Sequence, residues 1–419
     1  MRVLWFSNTP SRYYSVGSGK GYNGGGWISS LEALVREDVE LGIIFLTGSP
    51  EDAQRSVEGV EYFPVFDPSD NRSSRIKKLF FGHNGADKYL VNKYLDIIRE
   101  FKPDVIQVFG SEHSFGLVAE HTDVPVVLHV QGIVKPYYDV YLPFCSWLRY
   151  ILSAGGGFGS ALHRLYIRSR WRHGVRREAR ILRMVQNYLC RTDWDKAETL
   201  KANPEARIFH GGEVLRPVFY EAEPWKPSEG KPVFVTTISE PPYKGMDVVL
   251  RAGKQLIDSG VDFEWRVFGN VNPAFFEKVT GITCEQAGIT LCGVADAARL
   301  AKELGSCSAY IHPSYIDNSP NSVCEAQMLG VPVIAAKVGG VPSLIEDGRT
   351  GLLFPAGDAS ALAELLRQFQ LAPELFGPNS RHCRPDRQSL SAAARAEALR
   401  RHDREAIKKE LLSVWSSLI

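Results

Sequence analysis

Short apolar runs alternate with longer amphipathic or polar stretches along most of the chain. In the first half the apolar runs occupy residues 3–6, 41–46, 105–109, 124–130 and 185–189. A second series occupies residues 233–238, 265–268, 289–292, 309–312 and 331–335, with helical spacers such as 246–258 and 296–304 between its members. Short buried strands separated by helix-length segments are typical of parallel sheets. The pattern therefore predicts an α/β protein that repeats one architecture twice.

A proline-rich, charged stretch separates the two series. It spans residues 221–232 and predicts a linker. A chain of 419 residues also exceeds what one hydrophobic core ordinarily supports. We therefore predict an N-terminal domain over 1–220, the linker over 221–232, a C-terminal domain over 233–395 and a terminal helix over 396–419. Residues 373–385 have the composition of an irregular connection.

Composition narrows the class of protein. The formal net charge is +1 and 23% of the residues are charged, so we expect no nucleic-acid partner. The seven cysteines are scattered without a C-x-x-C pair, which favours a reducing cytosol over a disulfide framework or a zinc site. The first apolar run meets polar Asn8 at once, unlike a signal peptide, and no apolar run reaches the roughly 18 residues of a membrane span. We expect a cytoplasmic protein without a transmembrane helix.

The segment from Ser308 to Asp358 carries the densest candidate chemistry. The apolar run 309–312 leads into a loop with Asp317, and Ser319 followed by Pro320 predicts a helix with Ser319 as its N-cap. Helix N-termini attract anions, and open α/β sheets bind ligands at the carboxyl ends of their strands. The loop acid Asp317 and the helix acid Glu325 are therefore placed to face one cleft that suits a diphosphate. Without further context, both acids could equally be solvated surface residues.

Short motifs supply that context, because they occur in a fixed order. They are Pro313-Ser314, Glu325-Ala326, Gly330-Val331-Pro332-Val333, Val338-Gly339-Gly340 with Pro342, and Asp347-Gly348 with Thr350-Gly351. In this order they resemble the donor-binding half of retaining glycosyltransferases of family 4, the glycosyl transferases group 1, which have the GT-B fold. The resemblance covers roughly residues 231–358 closely and the first 220 residues more weakly. It implies two Rossmann-like parallel-sheet domains facing a cleft, with a C-terminal helix that crosses back to the N-terminal domain.

The resemblance assigns donor-binding roles in the C-terminal half. It implies that Glu325 binds the ribose, that Asp317 binds the sugar hydroxyls, and that Gly339 and Gly340 bind phosphates through their backbone. Asp317 replaces the family's usual glutamate and is one methylene shorter. Three residues around the predicted helix start complete this set: Ser319, Asn321 and Ser322.

A cation is also implied by the resemblance. Lys244 follows the first strand of the second series and would stabilise the leaving diphosphate. The family usually has an arginine five residues earlier, and Ser239 stands there in this chain. The diphosphate would therefore depend on Lys244, on backbone amides and on helix termini.

A glycine-rich segment follows the first apolar run. Residues 19–24 match G-x-G-x-x-G, but the match lies about ten residues beyond the run, and the second run ends without an acid that would hold a ribose. We therefore expect no nicotinamide and no other cofactor, only a nucleoside-diphosphate sugar as donor substrate. The amides of Gly25 and Gly26 are predicted to approach the donor diphosphate. A surface loop without that role is the alternative.

Two further residues follow strands of the first series. Gln131 stands where related enzymes often carry a histidine; it cannot act as a base, but it can hold a donor or acceptor hydroxyl. His113 follows the third run and is either catalytic or a capping residue. Asp193 and Asp195 form the D-x-D pattern of metal-dependent glycosyltransferases, yet Thr192 with Asp195 also matches a capping box. We favour the cap and expect no metal site.

A basic amphipathic segment runs from Arg164 to Arg183. It contains eight arginines and a single acid, Glu178, interleaved with apolar residues. Such a segment can lie on an anionic membrane and bring the enzyme to a lipid-linked acceptor. A solvated helix face is the alternative.

The predicted function follows from these residues and from the resemblance. We expect a retaining, metal-independent glycosyltransferase that moves a sugar to a glycan or lipid-linked acceptor, in surface polysaccharide or glycolipid synthesis, at the inner face of the cell membrane. The resemblance implies front-face substitution, in which the leaving diphosphate oxygen takes the acceptor's proton. Two alternatives remain: a nucleotide-sugar 2-epimerase or hydrolase on the same fold, and a non-catalytic sugar-nucleotide-binding assembly protein.

Overall fold

The chain forms two compact units. A computed structural model describes residues 1–14, 26–68, 83–152, 157–226, 230–371 and 386–419. Residues 1–214 and 404–419 form the N-terminal unit, and residues 215–403 form the C-terminal unit. The division lies before the predicted linker, because the segment after it packs onto the C-terminal unit: the Trp225 amide donates to the Leu329 carbonyl at 2.7 Å, and its indole Nε1 donates to the Cys307 carbonyl at 2.6 Å.

The N-terminal unit contains an eight-stranded sheet. Its strands are β1 (Arg2–Ser7), β2 (Glu40–Thr47), β3 (Arg55–Val57), β4 (Val60–Phe66), β5 (Val105–Phe109), β6 (Val126–His129), β7 (Asn187–Cys190) and β8 (Arg207–His210). They lie in the order β3-β4-β2-β1-β5-β6-β7-β8, and β3 alone is antiparallel to its neighbour. The sequence pattern predicted β1, β2, β5, β6 and β7. It missed β8, whose residues are exposed or half-buried, and β4, which contains a proline.

The C-terminal unit contains a six-stranded parallel sheet. Its strands are β9 (Val233–Thr237), β10 (Glu264–Phe268), β11 (Ile289–Gly293), β12 (Ala309–His312), β13 (Val333–Ala336) and β14 (Leu352–Phe354). Their order is β11-β10-β9-β12-β13-β14, so the chain moves outward from β9 in one direction and then from β12 in the other. The predicted α/β architecture with two parallel sheets is confirmed.

Helices connect the strands in both units. Those of the N-terminal unit are Gly26–Val35, Asn84–Phe101, Val134–Asp139, Trp147–Leu152, Gly157–Met184, Asp193–Ala202 and Arg404–Ser416, with a 3-10 helix at Phe115–Glu120. Those of the C-terminal unit are Val218–Glu221, Met246–Asp258, Ala274–Thr280, Ala297–Ser306, Asn321–Leu329, Val341–Leu344, Ala359–Leu371 and Arg387–Arg401, with a 3-10 helix at Pro242–Lys244. None of the helices described is long and apolar enough to cross a membrane.

The predicted terminal helix over 396–419 is two helices. Arg387–Arg401 belongs to the C-terminal unit, and Arg404–Ser416 belongs to the N-terminal unit. The first ends at His402, whose carbonyl accepts a hydrogen bond from the Tyr220 hydroxyl at 2.9 Å. The second buries Trp415, whose Nε1 donates to Gln107 at 2.7 Å in the core of the N-terminal unit. The predicted irregular connection at 373–385 lies outside the described residues.

Candidate functional site

The candidate site lies where the strand order of the C-terminal sheet reverses. β9 and β12 are neighbours, and the loops after them leave the same edge of the sheet. The 3-10 helix after β9 ends at Lys244, and the loop after β12 contains Asp317. A strand reversal opens a crevice at the carboxyl ends of the strands, which is the usual ligand position in such sheets. Topology therefore brings together two charged residues that are distant in sequence.

Lys244 and Asp317 form an ion pair in this crevice. Lys244 Nζ donates to Asp317 Oδ2 at 2.7 Å, and His312 Nε2 lies 3.3 Å from the same oxygen. Burial raises the pKa of Asp317, but the Lys244 charge and the neighbouring His312 outweigh burial and hold that pKa well below its usual range. Asp317 is therefore an ionised acceptor at neutral pH, fixed beside a cation.

Glycines allow the loops to approach one another. Gly245 has φ +84°, and a Cβ there would lie 2.2 Å from the Pro313 carbonyl oxygen. Gly339 has φ +48°, and its Cβ would lie 2.0 Å from the Asp317 carbonyl oxygen. A side chain at either position would force the loops apart, and the backbone favours glycine there. The sequence analysis singled out Gly339 for a phosphate contact and not for this close approach of two loops, and it did not identify Gly245 as a structural requirement.

The amide of Gly340 already has a partner within the protein. It donates to the Asp317 carbonyl at 3.0 Å, which ties the Gly339-Gly340 turn to the loop after β12. The turn therefore positions the Asp317 backbone. A contact from Gly339 or Gly340 to a donor phosphate stays a prediction.

Glu325 is paired with an arginine from a distant segment. Arg216 Nε and Nη2 donate to the two carboxylate oxygens, each at 2.8 Å, and 109 residues separate the partners. The Glu325 side chain is 5% exposed and that of Arg216 22%. Arg216 also lies over the Phe219 ring, 4.9 Å from its centroid. No basic residue lies within four positions of Glu325, so a local reading of the sequence could not find this pair.

The helix that carries Glu325 begins one residue later than predicted. Its range is Asn321–Leu329, and Pro320 takes the N-cap position, because the Pro320 carbonyl accepts from the amides of Val323 and Cys324. Ser319 is buried just outside the helix rather than capping it. Asn321 and Ser322 occupy the first two helical positions, as expected of residues at a helix start.

Of the two glycines predicted to approach the donor diphosphate, Gly25 and Gly26, the structure describes only Gly26. Gly25 lies outside the described residues. Gly26 begins the helix Gly26–Val35, and its carbonyl accepts from the Ser30 hydroxyl at 3.0 Å. The role of both glycines toward a diphosphate stays a prediction.

Gln131 and His113 follow neighbouring strands of the N-terminal sheet. The backbone carbonyl of Gln131, after β6, accepts from Arg191 at 2.9 Å. His113 follows β5, and burial, with Arg177 and Arg170 adding to it, lowers the pKa of His113 to about 4. The next 3-10 helix has Ser114 at its N-cap position, so His113 is not that cap. It is a neutral imidazole at neutral pH.

The D-x-D pattern forms a helix cap. The Asp195 amide donates to the Thr192 hydroxyl at 3.2 Å, while the two Asp195 carboxylate oxygens accept from the amides of Thr192 and Arg191 at 2.9 and 3.0 Å. The predicted capping box is confirmed. Within the described ranges no group of three or more histidine, cysteine, aspartate or glutamate side chains is placed to hold a metal ion.

The basic segment lies within the long helix Gly157–Met184, and several of its arginines are used inside the N-terminal unit. Arg164 packs over the Tyr150 ring at 4.2 Å, Arg177 donates to Asp87 at 2.9 Å, and Arg180 donates to Glu120 at 2.7 Å. Arg172 and Arg176 are exposed on the same helix. Only part of the positive charge read from the sequence is therefore free to meet a partner.

Solved structures show the fold class. Sucrose-phosphate synthase from Thermosynechococcus elongatus is similar with a TM-score of 0.72 and 17% identity, covering 100% of this chain and 98% of that one. Anabaena HepE in complex with UDP-glucose is similar with a TM-score of 0.65 and 14% identity, covering 100% of both chains. The lipopolysaccharide biosynthesis glycosyltransferase WaaG is similar with a TM-score of 0.62 and 16% identity, covering 99% of both. The protein has the GT-B fold.

Sequence comparison finds relatives of part of the chain. Residues 230–370 match the family described as glycosyl transferases group 1. The D-inositol 3-phosphate glycosyltransferase of Streptomyces scabiei is 33% identical over 180 residues, which is 40% of this chain and 37% of the relative. The colanic acid biosynthesis glycosyltransferase WcaL of Salmonella typhimurium, described as putative, is 27% identical over 185 residues, 42% of each chain. The match to the glycosyl transferases group 1 family lies within the C-terminal unit, and the chain spans less than half the length of these curated relatives.

Proposed function

We propose that this protein is a retaining glycosyltransferase that moves a sugar from a nucleoside-diphosphate sugar to a glycan or lipid-linked acceptor without a metal ion. One observation carries the proposal. Two largely buried acids, Asp317 and Glu325, lie at the strand reversal of the C-terminal sheet, within the region that matches the family. Each forms an ion pair with a cationic side chain that is distant in sequence.

Lys244 would stabilise the negative charge that develops on the leaving diphosphate. An ammonium group has three donors, so the hydrogen bond to Asp317 leaves Lys244 able to contact phosphate oxygens as well. A cation fixed before the reaction stabilises charge without reorganising at the moment of bond breaking. The start of the helix Asn321–Leu329 adds amide donors to the same end of the sheet. In front-face substitution the diphosphate oxygen would then take the acceptor's proton.

The two acids would recognise the two hydroxylated parts of the donor. An ionised carboxylate only accepts hydrogen bonds, which suits sugar hydroxyls. Asp317 would bind the transferred sugar, because it is fixed beside Lys244, and Glu325 would bind the ribose from within the helix. Arg216 holds Glu325 in one orientation, so that acid would need no rearrangement to receive the nucleotide.

The proposed acceptor class is supported by the names of the relatives. They include a phosphatidyl-myo-inositol mannosyltransferase of Mycobacterium leprae, 28% identical over 193 residues, which is 46% of this chain and 48% of that one. Others are named for D-inositol 3-phosphate and for colanic acid biosynthesis. We infer from them a role in surface polysaccharide or glycolipid synthesis at the inner face of the cell membrane, with the N-terminal unit selecting the acceptor.

We also propose that the N-terminal unit contacts a membrane surface. Leu148 and Leu152 are 65% and 74% exposed on the short helix that packs against the long basic helix, and Leu165 on the latter is 40% exposed. Exposed leucines on these two packed helices, together with the exposed Arg172 and Arg176 of the long helix, suit an anionic lipid surface, where apolar insertion and charge attraction act together.

The proposed function is tested by turnover of UDP- and GDP-sugars with and without glycan and lipid-linked acceptors. Transfer with retention of anomeric configuration is expected in the presence of a chelator, and Glu325→Gln should weaken nucleoside-diphosphate binding at least about tenfold, the loss of a charge-assisted hydrogen-bond pair. Glu364→Gln is the matched control, because Glu364 is an exposed helix acid that also pairs with an arginine. Acceptor-independent turnover would instead indicate an epimerase or hydrolase. Binding without turnover would indicate an assembly protein.

A further inference from the structure

A cavity of about 270 Å³ lies at the edge of the N-terminal sheet. Its floor is formed by the ends of β2, β4 and β5, next to the place where the strand order reverses between β1 and β5. Its walls come from the helices Asn84–Phe101 and Gly157–Met184. The cavity therefore occupies the ligand position of this sheet, as Lys244 and Asp317 do in the C-terminal sheet.

One wall of the cavity is held rigid by an ion-pair cluster. His173 Nε2 lies 2.7 Å from one oxygen of Asp87, and Arg177 donates to the other oxygen at 2.9 Å. Arg177 also donates to the carbonyl of Glu112 on the floor. Burial raises the pKa of Asp87, but His173 and Arg177 outweigh burial and lower it, so this acid stays ionised. The cluster joins both helices to the loop after β5.

Two groups on the cavity lining have hydrogen-bonding capacity to offer a ligand. His113 makes no hydrogen bond to any part of the chain that the structure describes, and as a neutral imidazole it has one donor and one acceptor nitrogen. Arg170 is exposed at the cavity and forms no ion pair within the described ranges. A ligand with both donor and acceptor groups would be matched by this pair.

Among the lining residues that the structure describes, acids accompany the arginines. The carboxylates of Asp67 and Asp87 equal the guanidinium groups of Arg170 and Arg177 in number, and Glu112 is a third acid. A phosphate would therefore meet acids on the wall and the floor, whereas hydroxyl groups can donate to the acids and accept from the arginines.

Ring faces and size narrow the ligand further. His83 stacks on His173 at 4.7 Å between centroids, and Tyr166 lies 6.0 Å beyond His83 at a small angle, so a row of flat rings borders the cavity. The volume lies just below the usual range for small-molecule sites, which suits one sugar ring rather than an oligosaccharide.

We propose that this cavity binds one neutral sugar ring of the acceptor, with Arg170 and His113 hydrogen-bonding its hydroxyls. The assignment of this sugar ring to an acceptor rests on the proposed transferase function. The binding of a sugar ring at this place does not depend on that function.

The test measures binding to the full-length protein without any donor, by saturation-transfer NMR. The probes are the methyl glycosides of glucose, galactose and mannose, with glycerol 3-phosphate as the anionic comparison. We expect at least one glycoside to bind and Arg170→Ala to raise its Kd about fivefold or more, as expected for the loss of a charge-assisted hydrogen bond. Arg183→Ala is the control, because Arg183 is exposed on the same helix and is not among the residues that line the cavity.

Three results would overturn the inference: no glycoside binds, Arg170→Ala leaves binding unchanged, or glycerol 3-phosphate binds in preference to every glycoside. The failure of the proposed function looks different. If glycosides bind through Arg170 but no nucleotide-sugar is turned over, the cavity assignment holds and the transferase proposal fails.

Discussion

Replacing Arg216 with methionine removes the partner of Glu325 while keeping much of the side-chain volume. Both Arg216 hydrogen bonds to Glu325 are 2.8 Å long, and the acid is 5% exposed. Removing one partner of a fully buried ion pair costs about 3–5 kcal/mol. Arg216 is 22% exposed, so water screens part of the interaction, and we expect a loss of about 2 kcal/mol.

A double-mutant cycle isolates this interaction from other effects of the substitutions. The free energy of unfolding is measured by denaturant titration for Arg216→Met, Glu325→Gln, the double variant and the unmodified protein, and the expected coupling energy is about 2 kcal/mol. Arg216→Lys should recover only part of this coupling energy, because lysine keeps the charge but cannot form the bidentate contact.

Arg367 and Glu364 provide the matched control cycle. They form the same bidentate contact, at 2.9 and 2.7 Å, but their side chains are 45% and 47% exposed. No resolvable coupling is expected for them, because water competes for both groups. A coupling at Arg216 and Glu325 as small as that of the control pair would refute the view that burial makes the Arg216 contact strong.

Three further predictions concern other parts of the molecule. Gly339→Ala should destabilise the protein by about 1–3 kcal/mol and weaken nucleoside-diphosphate binding, since a Cβ would lie 2.0 Å from the Asp317 carbonyl; unchanged melting and binding would contradict this. Because the pKa of Asp317 is lowered in the folded protein, its stabilising contribution should be complete above about pH 4 and decline as the pH falls further. The free energy of unfolding of Asp317→Asn should therefore fall less steeply with decreasing pH than that of the unmodified protein. An equally steep fall in both proteins would disprove the assignment. Leu148→Ser with Leu152→Ser should reduce co-sedimentation with anionic vesicles several-fold, whereas equal sedimentation of both proteins would exclude these leucines as a membrane contact.

Most of the strands that the sequence predicted are buried. β1, β5 and β12 are continuous buried runs, and such runs are visible in a single sequence. β8 is half-exposed, and β14 has only three residues, so neither produces a run that stands out from its surroundings. The hydrophobic pattern therefore recovers the central strands of both sheets but, of the four edge strands described, only β11.

The sequence analysis named Asp317, Glu325 and Lys244 as site residues, but it foresaw neither the pairing of Lys244 with Asp317 nor the contact of Arg216 with Glu325. Asp317 and Glu325 stand in a contiguous motif, whereas Arg216 reaches Glu325 only because residues 215–226 fold onto the C-terminal unit. The cap at Pro320 was shifted by one residue, because Ser-Pro at a helix start is compatible with either register. Partners that depend on tertiary contacts leave no local signal in one sequence.

The four charged residues of the site have a consequence for the proposed donor. Asp317 and Glu325 balance Lys244 and Arg216, so together they add no net positive charge to attract a diphosphate. The position where the family usually has a second cation holds Ser239, which is neutral and exposed. On the proposed function, the affinity for a diphosphate would depend on the amide donors at the start of Asn321–Leu329 and on the remaining donors of Lys244. On the proposed function, replacing Ser239 with a cationic residue should therefore raise the affinity of this site for the donor diphosphate.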